Sequence, residues 1–183
     1  AWTMPDAKHG RFEALAAMRA ALGLLLAENP LEVAIVAMPG AAHAAGDAVY
    51  CASVNGVAMP ERKSKGGCNA LRSIHLYGGR EASAYAEMRA QAEGNVLCRE
   101  LTMLPPNELS PGAYRRRLRS LAAENRWKHE EFSFQKLRRM RAGAFCAVAQ
   151  GSPAADAAIV HLRYSHAKAK RSIALVGKGI CYD

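Results

Sequence analysis

Ser172-Ile173-Ala174-Leu175-Val176-Gly177-Lys178-Gly179-Ile180-Cys181-Tyr182-Asp183 is the stretch on which the fold class turns. Ser172 to Val176 is a short run, apolar after its serine and partly β-branched, so it predicts a strand, and that strand runs straight into a lysine flanked by glycines. In a sheet layered by helices, ligands gather beyond the carboxyl ends of strands. A lysine and an aspartate five residues apart face opposite ways on a straight strand. The glycines on both sides of Lys178 permit a bend that brings the two side chains towards one point. An aspartate oxygen suits a hard divalent cation, and a lysine amine binds one only once it has lost its proton. On spacing alone a structural Lys178–Asp183 ion pair on a loop is the favoured reading, since charged pairs are often structural. A phosphate-cradling loop fares worse, because Lys178 is followed by glycine where that motif needs serine or threonine.

Working outward, the same alternation of helices and strands recurs. Phe12, Leu15, Met18, Leu22 and Leu25 are spaced by three and four, which predicts a helix over 12–26 burying one face. Val33-Ala34-Ile35-Val36-Ala37-Met38, bounded by Pro39-Gly40, predicts a buried strand. The alanine-rich stretch 41–53 predicts a helix, and the glycine-rich, charged stretch 55–69 an exposed loop. Leu71 to Tyr77 predicts a strand closed by Gly78-Gly79. From Glu81 to Leu104 no proline intervenes, and the apolar stripe shifts from Tyr85, Met88, Ala92 and Val96 to Leu97, Leu101 and Leu104. A helix whose stripe changes face can contact two bodies, so it reads as a connector, with Gly94 its weak point. Pro105-Pro106 stops it. Ser110-Pro111 starts the next helix, serine as cap and proline in the first turn, with Tyr114, Leu118 and Leu121 facing inward and the arginines outward. Ala157 to Tyr164 predicts a further strand. The whole reads as an α/β fold.

Half of the 183 residues are apolar, enough for one good core or two small ones. The five cysteines are scattered and form no CxxC pair, so neither a disulfide framework nor a thiolate metal cage is indicated, and a reducing cytoplasm fits. No apolar run approaches the roughly 20 residues of a spanning helix, and no secretion-signal pattern opens the chain. A soluble protein with no membrane partner is therefore expected. Of the net charge of +9, much is local to Arg115–Arg141, which holds ten lysines and arginines against Glu124, Glu130 and Glu131. That cluster is a solvated face or a docking surface for nucleic acid, though aromatic interleaving is poor. His161 and His166 are wrongly spaced for a ligand pair, and all six histidines read as ordinary surface or core residues.

The string Val176-Gly177-Lys178-Gly179-Ile180-Cys181-Tyr182-Asp183 resembles the V-G-K-G-I-x-[FY]-D motif of the leucyl aminopeptidases. Glu93 to Leu101 followed by Leu104-Pro105-Pro106-Asn107-Glu108-Leu109-Ser110-Pro111 is similar to that family's N-L-x-R-x-L…P-P-N-x-L-[ST]-P segment. Ala149-Gln150-Gly151-Ser152 resembles its [AV]-x-[GQ]-G-S turn. The resemblance covers 93–183 well and the residues before Ala82 loosely. It implies a short N-terminal α/β domain over 1–81, a linker helix over 82–104 and the start of a catalytic domain over 105–183. It further implies an enzyme that removes N-terminal residues from peptides with two divalent ions, zinc or manganese, which polarise the scissile carbonyl and activate a water. Lys178 would bind one ion and Asp183 both. The family's other acidic ligands, second lysine and transition-state arginine would fall after Asp183, so this chain alone is expected to be inactive. A homo-hexamer in the cytoplasm is implied for the intact protein.

Overall fold

The computed structural model describes residues 1, 3, 10–62, 64, 67, 69–152 and 154–181, leaving aside the side chains of residues 42 and 43. The architecture is mixed helix and strand, in two compact units, Ala1–Met103 and Leu104–Asp183.

In the first unit, helix α1 (Arg11–Leu26) precedes strand β1 (Glu32–Val36), helix α2 (Ala42–Asn55) and strand β2 (Ser73–Tyr77). β1 and β2 pair in parallel, Val33 opposite Ile74 and Ile35 opposite Leu76, so α2 is the crossover that parallel strands require. Met18 and Leu22 of α1, Val33 of β1, and Cys51 and Ala52 of α2 form the core, with Leu15, Ile35, Leu71 and Ile74 against it. The periodicity therefore marks the inward face of α1 correctly at its centre. Phe12 departs from it: at 80 % exposure it lies beyond the covered surface, one turn too early.

β1 also departs from expectation. Its continuous apolar run predicts burial on both faces, but only Val33 is buried and Val36 is 64 % exposed. Helices cover one face of this two-stranded sheet and nothing described covers the other, so alternate residues stay in water.

A 3₁₀ turn at Ala82–Tyr85 leads into α3 (Ala86–Met103). α3 lies against α2, with the Met88 side chain packed over Gly46. Asn95 Nδ2 donates to the Tyr50 hydroxyl at 3.0 Å, and the Arg99 guanidinium donates to the Val54 carbonyl.

In the second unit, α4 (Pro111–Glu124) is followed by β3 (Lys128–Ser133), α5 (Phe134–Arg139), α6 (Gly143–Ala149) and β4 (Ala158–Arg163). Ser110 caps α4 as the sequence predicts, its hydroxyl accepting from Ala113 N at 3.3 Å, with proline in the first turn. Ser133 repeats the device for α5. Leu121, Ala122, Leu137 and Ala149 are the buried residues here.

β4 falls within the expected 157–164 but pairs antiparallel with β3, Glu131 opposite Val160 and Phe132 opposite Ile159. The expected strand over 172–176 is absent. Ile173, Leu175 and Val176 are 86 %, 93 % and 98 % exposed, and the backbone there has no regular structure. An extended segment becomes a strand only when a neighbour takes up its amides and carbonyls, and none of the described residues does so for this one.

Candidate functional site

The second unit gathers its polar chemistry at the N-terminal end of α4. The Asp156 carboxylate lies there, Oδ2 accepting from Gly112 N at 2.7 Å. With the Ser110 hydroxyl it satisfies two amides of the first turn, where negative charge also complements the helix dipole. A Cβ at Gly112 would stand 2.8 Å from that oxygen, so a glycine at the second helical position is what lets the carboxylate approach. The other oxygen, Oδ1, is buried without a hydrogen-bond partner.

Arg115, one turn further, joins three segments. Its Nε and Nη2 donate to Glu131 Oε2 of β3 at 3.0 and 2.6 Å, and its Nη1 donates to the Asp156 carbonyl at 2.8 Å. Arg119 donates to Glu131 Oε1 at 2.8 Å. Glu131 has only 12 % of its side chain exposed. Burial pushes its carboxyl up, but the hydrogen bonds and charges of Arg115 and Arg119 outweigh this, and its pKa lies below the ordinary value of 4.5. His129 Nε2 stands 3.3 Å from Glu131 Oε1, out of line for a hydrogen bond and otherwise unpartnered.

The glycine-flanked segment lies beside this junction. A Cβ at Gly179 would come within 3.2 Å of the Tyr114 ring. Cys181 is half-buried, its thiol donating to the Gly179 carbonyl at 3.7 Å. Burial first, and then the charge of Asp156, push that thiol above its ordinary value. Lys178 is exposed to solvent, and Asp183 lies outside the described residues. The expected pair of ligands thus lies only in part within the described residues. No group of three or more histidine, cysteine, aspartate or glutamate side chains capable of holding a metal ion occurs among those residues either.

The remaining expectations divide. The arginines of α4 do not all point outward: Arg115 is half-buried because Glu131 supplies a charge partner beneath the helix. Arg116 and Arg117 are exposed as predicted. Lys136 is paired with Glu130 at 3.4 Å and lies over the Phe132 ring at 3.9 Å. The Arg115–Arg141 cluster is therefore spread over α4, β3 and α5, with Arg115, Arg119 and Lys136 engaged internally, and no observation favours nucleic acid. His75 lies 3.3 Å from Glu32, and His161 3.9 Å from Glu130, both at the surface. His9 and the side chain of His43 fall outside the described residues. Cys51, Cys98, Cys146 and Cys181 are free thiols, and Cys68 is not among the described residues.

The junction at Glu131 escapes sequence reasoning because β3 is polar and short. Its signal is His129-x-Glu131, two residues apart and hence on one face of a strand, once the strand is known. A shallow hollow between α5 and α6, lined by Phe134, Arg138, Cys146, Gln150 and Ser152, does not include Lys178. Among the described residues no helix is long and apolar enough to cross a membrane.

Comparison with known proteins bears on residues 96–183, which match the family profile described as cytosol aminopeptidase family, catalytic domain. A probable cytosol aminopeptidase of Streptomyces avermitilis is 34 % identical over 185 residues, covering 97 % of this chain and 35 % of that protein. The cytosol aminopeptidase of Pseudomonas aeruginosa is 41 % identical over 99 residues, covering 53 % of this chain and 20 % of that protein. A probable cytosol aminopeptidase of Prochlorococcus marinus is 34 % identical over 118 residues, covering 63 % and 24 %. The chain thus spans about a third or less of the length of these relatives.

Proposed function

From the match of residues 96–183 to the cytosol aminopeptidase family and the similarity to its curated relatives, we propose that this chain is part of a metal-dependent leucyl-type aminopeptidase that removes N-terminal residues from peptides. The observation that carries this reading is the family match itself, which reaches the segment containing Lys178 and Asp183.

Lys178 and Asp183 are proposed as ligands of two divalent ions, zinc or manganese. The described residues do not by themselves fit such a centre, since Lys178 is exposed and no cluster of metal-ligating side chains accompanies it. Hard divalent ions need several protein oxygens, and two donors are too few. We therefore propose that the 183-residue chain alone neither holds the ions tightly nor hydrolyses peptides. What its own residues contribute is the seat of the glycine-flanked segment at the N-terminus of α4. On the same reading residues 1–81 form the N-terminal domain, 82–104 the linker helix, and the intact protein is a cytoplasmic homo-hexamer.

The test compares this chain with a longer one, in which Asp183 is followed by the corresponding remainder of the Pseudomonas aeruginosa relative. Hydrolysis of leucine p-nitroanilide with zinc or manganese is expected only in the longer chain. There Lys178→Ala and Asp183→Ala should each lower it about a hundredfold or more. Hydrolysis by a homogeneous sample of the 183-residue chain would overturn the proposal of inactivity. Full activity in the two variants would overturn the ligand assignment.

A further inference from the structure

Arg115 is more heavily engaged than a helix-surface arginine needs to be. Surface ion pairs contribute little and are usually single contacts. Here one guanidinium spends three donors on two segments, Glu131 of β3 and the backbone carbonyl of Asp156, both within its own unit. The carbonyl it grips belongs to the residue whose carboxylate caps α4 at Gly112. Tyr114, the neighbour of Arg115 on α4, is what Gly179 rests on: a Cβ there would come within 3.2 Å of its ring. Glu131 is in turn held by Arg119, so the anchor of the guanidinium is itself fixed from a second side.

We infer that Arg115 is a positioning residue, which fixes Asp156 and the first turn of α4 against β3 and thereby the seat of the Gly179–Cys181 segment that follows Lys178. The consequence for catalysis rests on the reading of Lys178 and Asp183 given above. The positioning itself does not, because it concerns contacts present without ions or substrate. Lysine cannot replace this arginine, since a single ammonium cannot meet a carboxylate on one side and a carbonyl on the other with a rigid fork.

The chain carries its own probes. Cys181 reports on the segment, and Cys146, half-buried in α6 of the same unit, reports on the unit as a whole. Alkylation of each thiol by iodoacetamide is followed by peptide mass spectrometry at one fixed pH, in the native 183-residue chain and in Arg115→Met. Cys181 is expected to react about fivefold faster in the variant, as local opening becomes easier, with Cys146 unchanged. Unchanged rates at both thiols would overturn the assignment. Equal acceleration of both would overturn it too, since Arg115 would then be a general prop of the unit. Should the methionine variant fail to fold, Arg115→Lys keeps the charge against Glu131, releases the Asp156 carbonyl, and is read by the same ratio. Because no metal enters the measurement, a failure of the metal reading leaves this result standing.

Discussion

The two compact units each contain a two-stranded sheet and a buried apolar centre, yet the second adds a charged junction that the first lacks among the described residues. In the first, parallel strands are pinned by apolar side chains meeting from three elements, Met18, Leu22, Val33, Cys51 and Ala52. In the second, antiparallel strands lie against a helix that buries Leu121 and Ala122 and adds a junction of one carboxylate and two guanidinium groups. Apolar burial is non-directional and tolerates small shifts, whereas the charged junction works only in one geometry. A unit built the second way specifies where its parts stand, which is what a site at the end of a helix requires.

The largest expected effect separates the two kinds of holding. Leu22→Ala should cost the first unit about 2–4 kcal/mol, seen as a lower urea midpoint and earlier hydrogen exchange in α1 and β1, with the amides of α4 and β3 unaffected. If both units lost stability together, the division of labour would be wrong.

Glu131→Gln comes next, at about 1–3 kcal/mol in the second unit alone, because two guanidinium groups lose a charged acceptor and one of them is half-buried. Its pH dependence has a definite sign. The carboxyl is depressed in the folded chain, so its contribution is fully present above the ordinary value of 4.5 and is lost as pH falls through the lower folded value. Acid unfolding of β3 and β4, followed by hydrogen exchange, should therefore be steep in the native chain and flatter in the variant. Equal steepness would place the acid sensitivity elsewhere.

Two smaller effects sharpen the comparison without touching either core. Gly94 faces open space on α3, and Gly94→Ala should stabilise that helix by up to about 1 kcal/mol, read from the thermal midpoint. Arg126 follows the cap of α4 with φ of 56°, a left-handed conformation in which glycine is at ease, and Trp127 N closes the turn on the Ala122 carbonyl at 2.8 Å. Arg126→Gly should add about 0.5 kcal/mol to the second unit, measured as a rise in its urea midpoint.

What was legible and what was not follows from the range of the forces. The helices α1, α2, α3 and α4 and the strands β1, β2 and β4 were readable because spacing, proline, glycine and a capping serine act within a few residues. β3 was not: Lys128-His129-Glu130-Glu131 looks like a solvated charge run until β4 supplies its hydrogen bonds. The segment 172–176 erred the other way, its apolar composition promising a strand that no described neighbour completes.

For the site, the sequence by itself determined the glycine-flanked Lys178 and its motif, and through them the resemblance to the leucyl aminopeptidases, since residue order carries that much chemistry. Only the tertiary structure decided that Glu131, Arg115 and Asp156, spread over 41 positions of chain between Arg115 and Asp156, meet at one helix end. Charges that far apart in sequence find one another only after the backbone has folded, so no local pattern announces them.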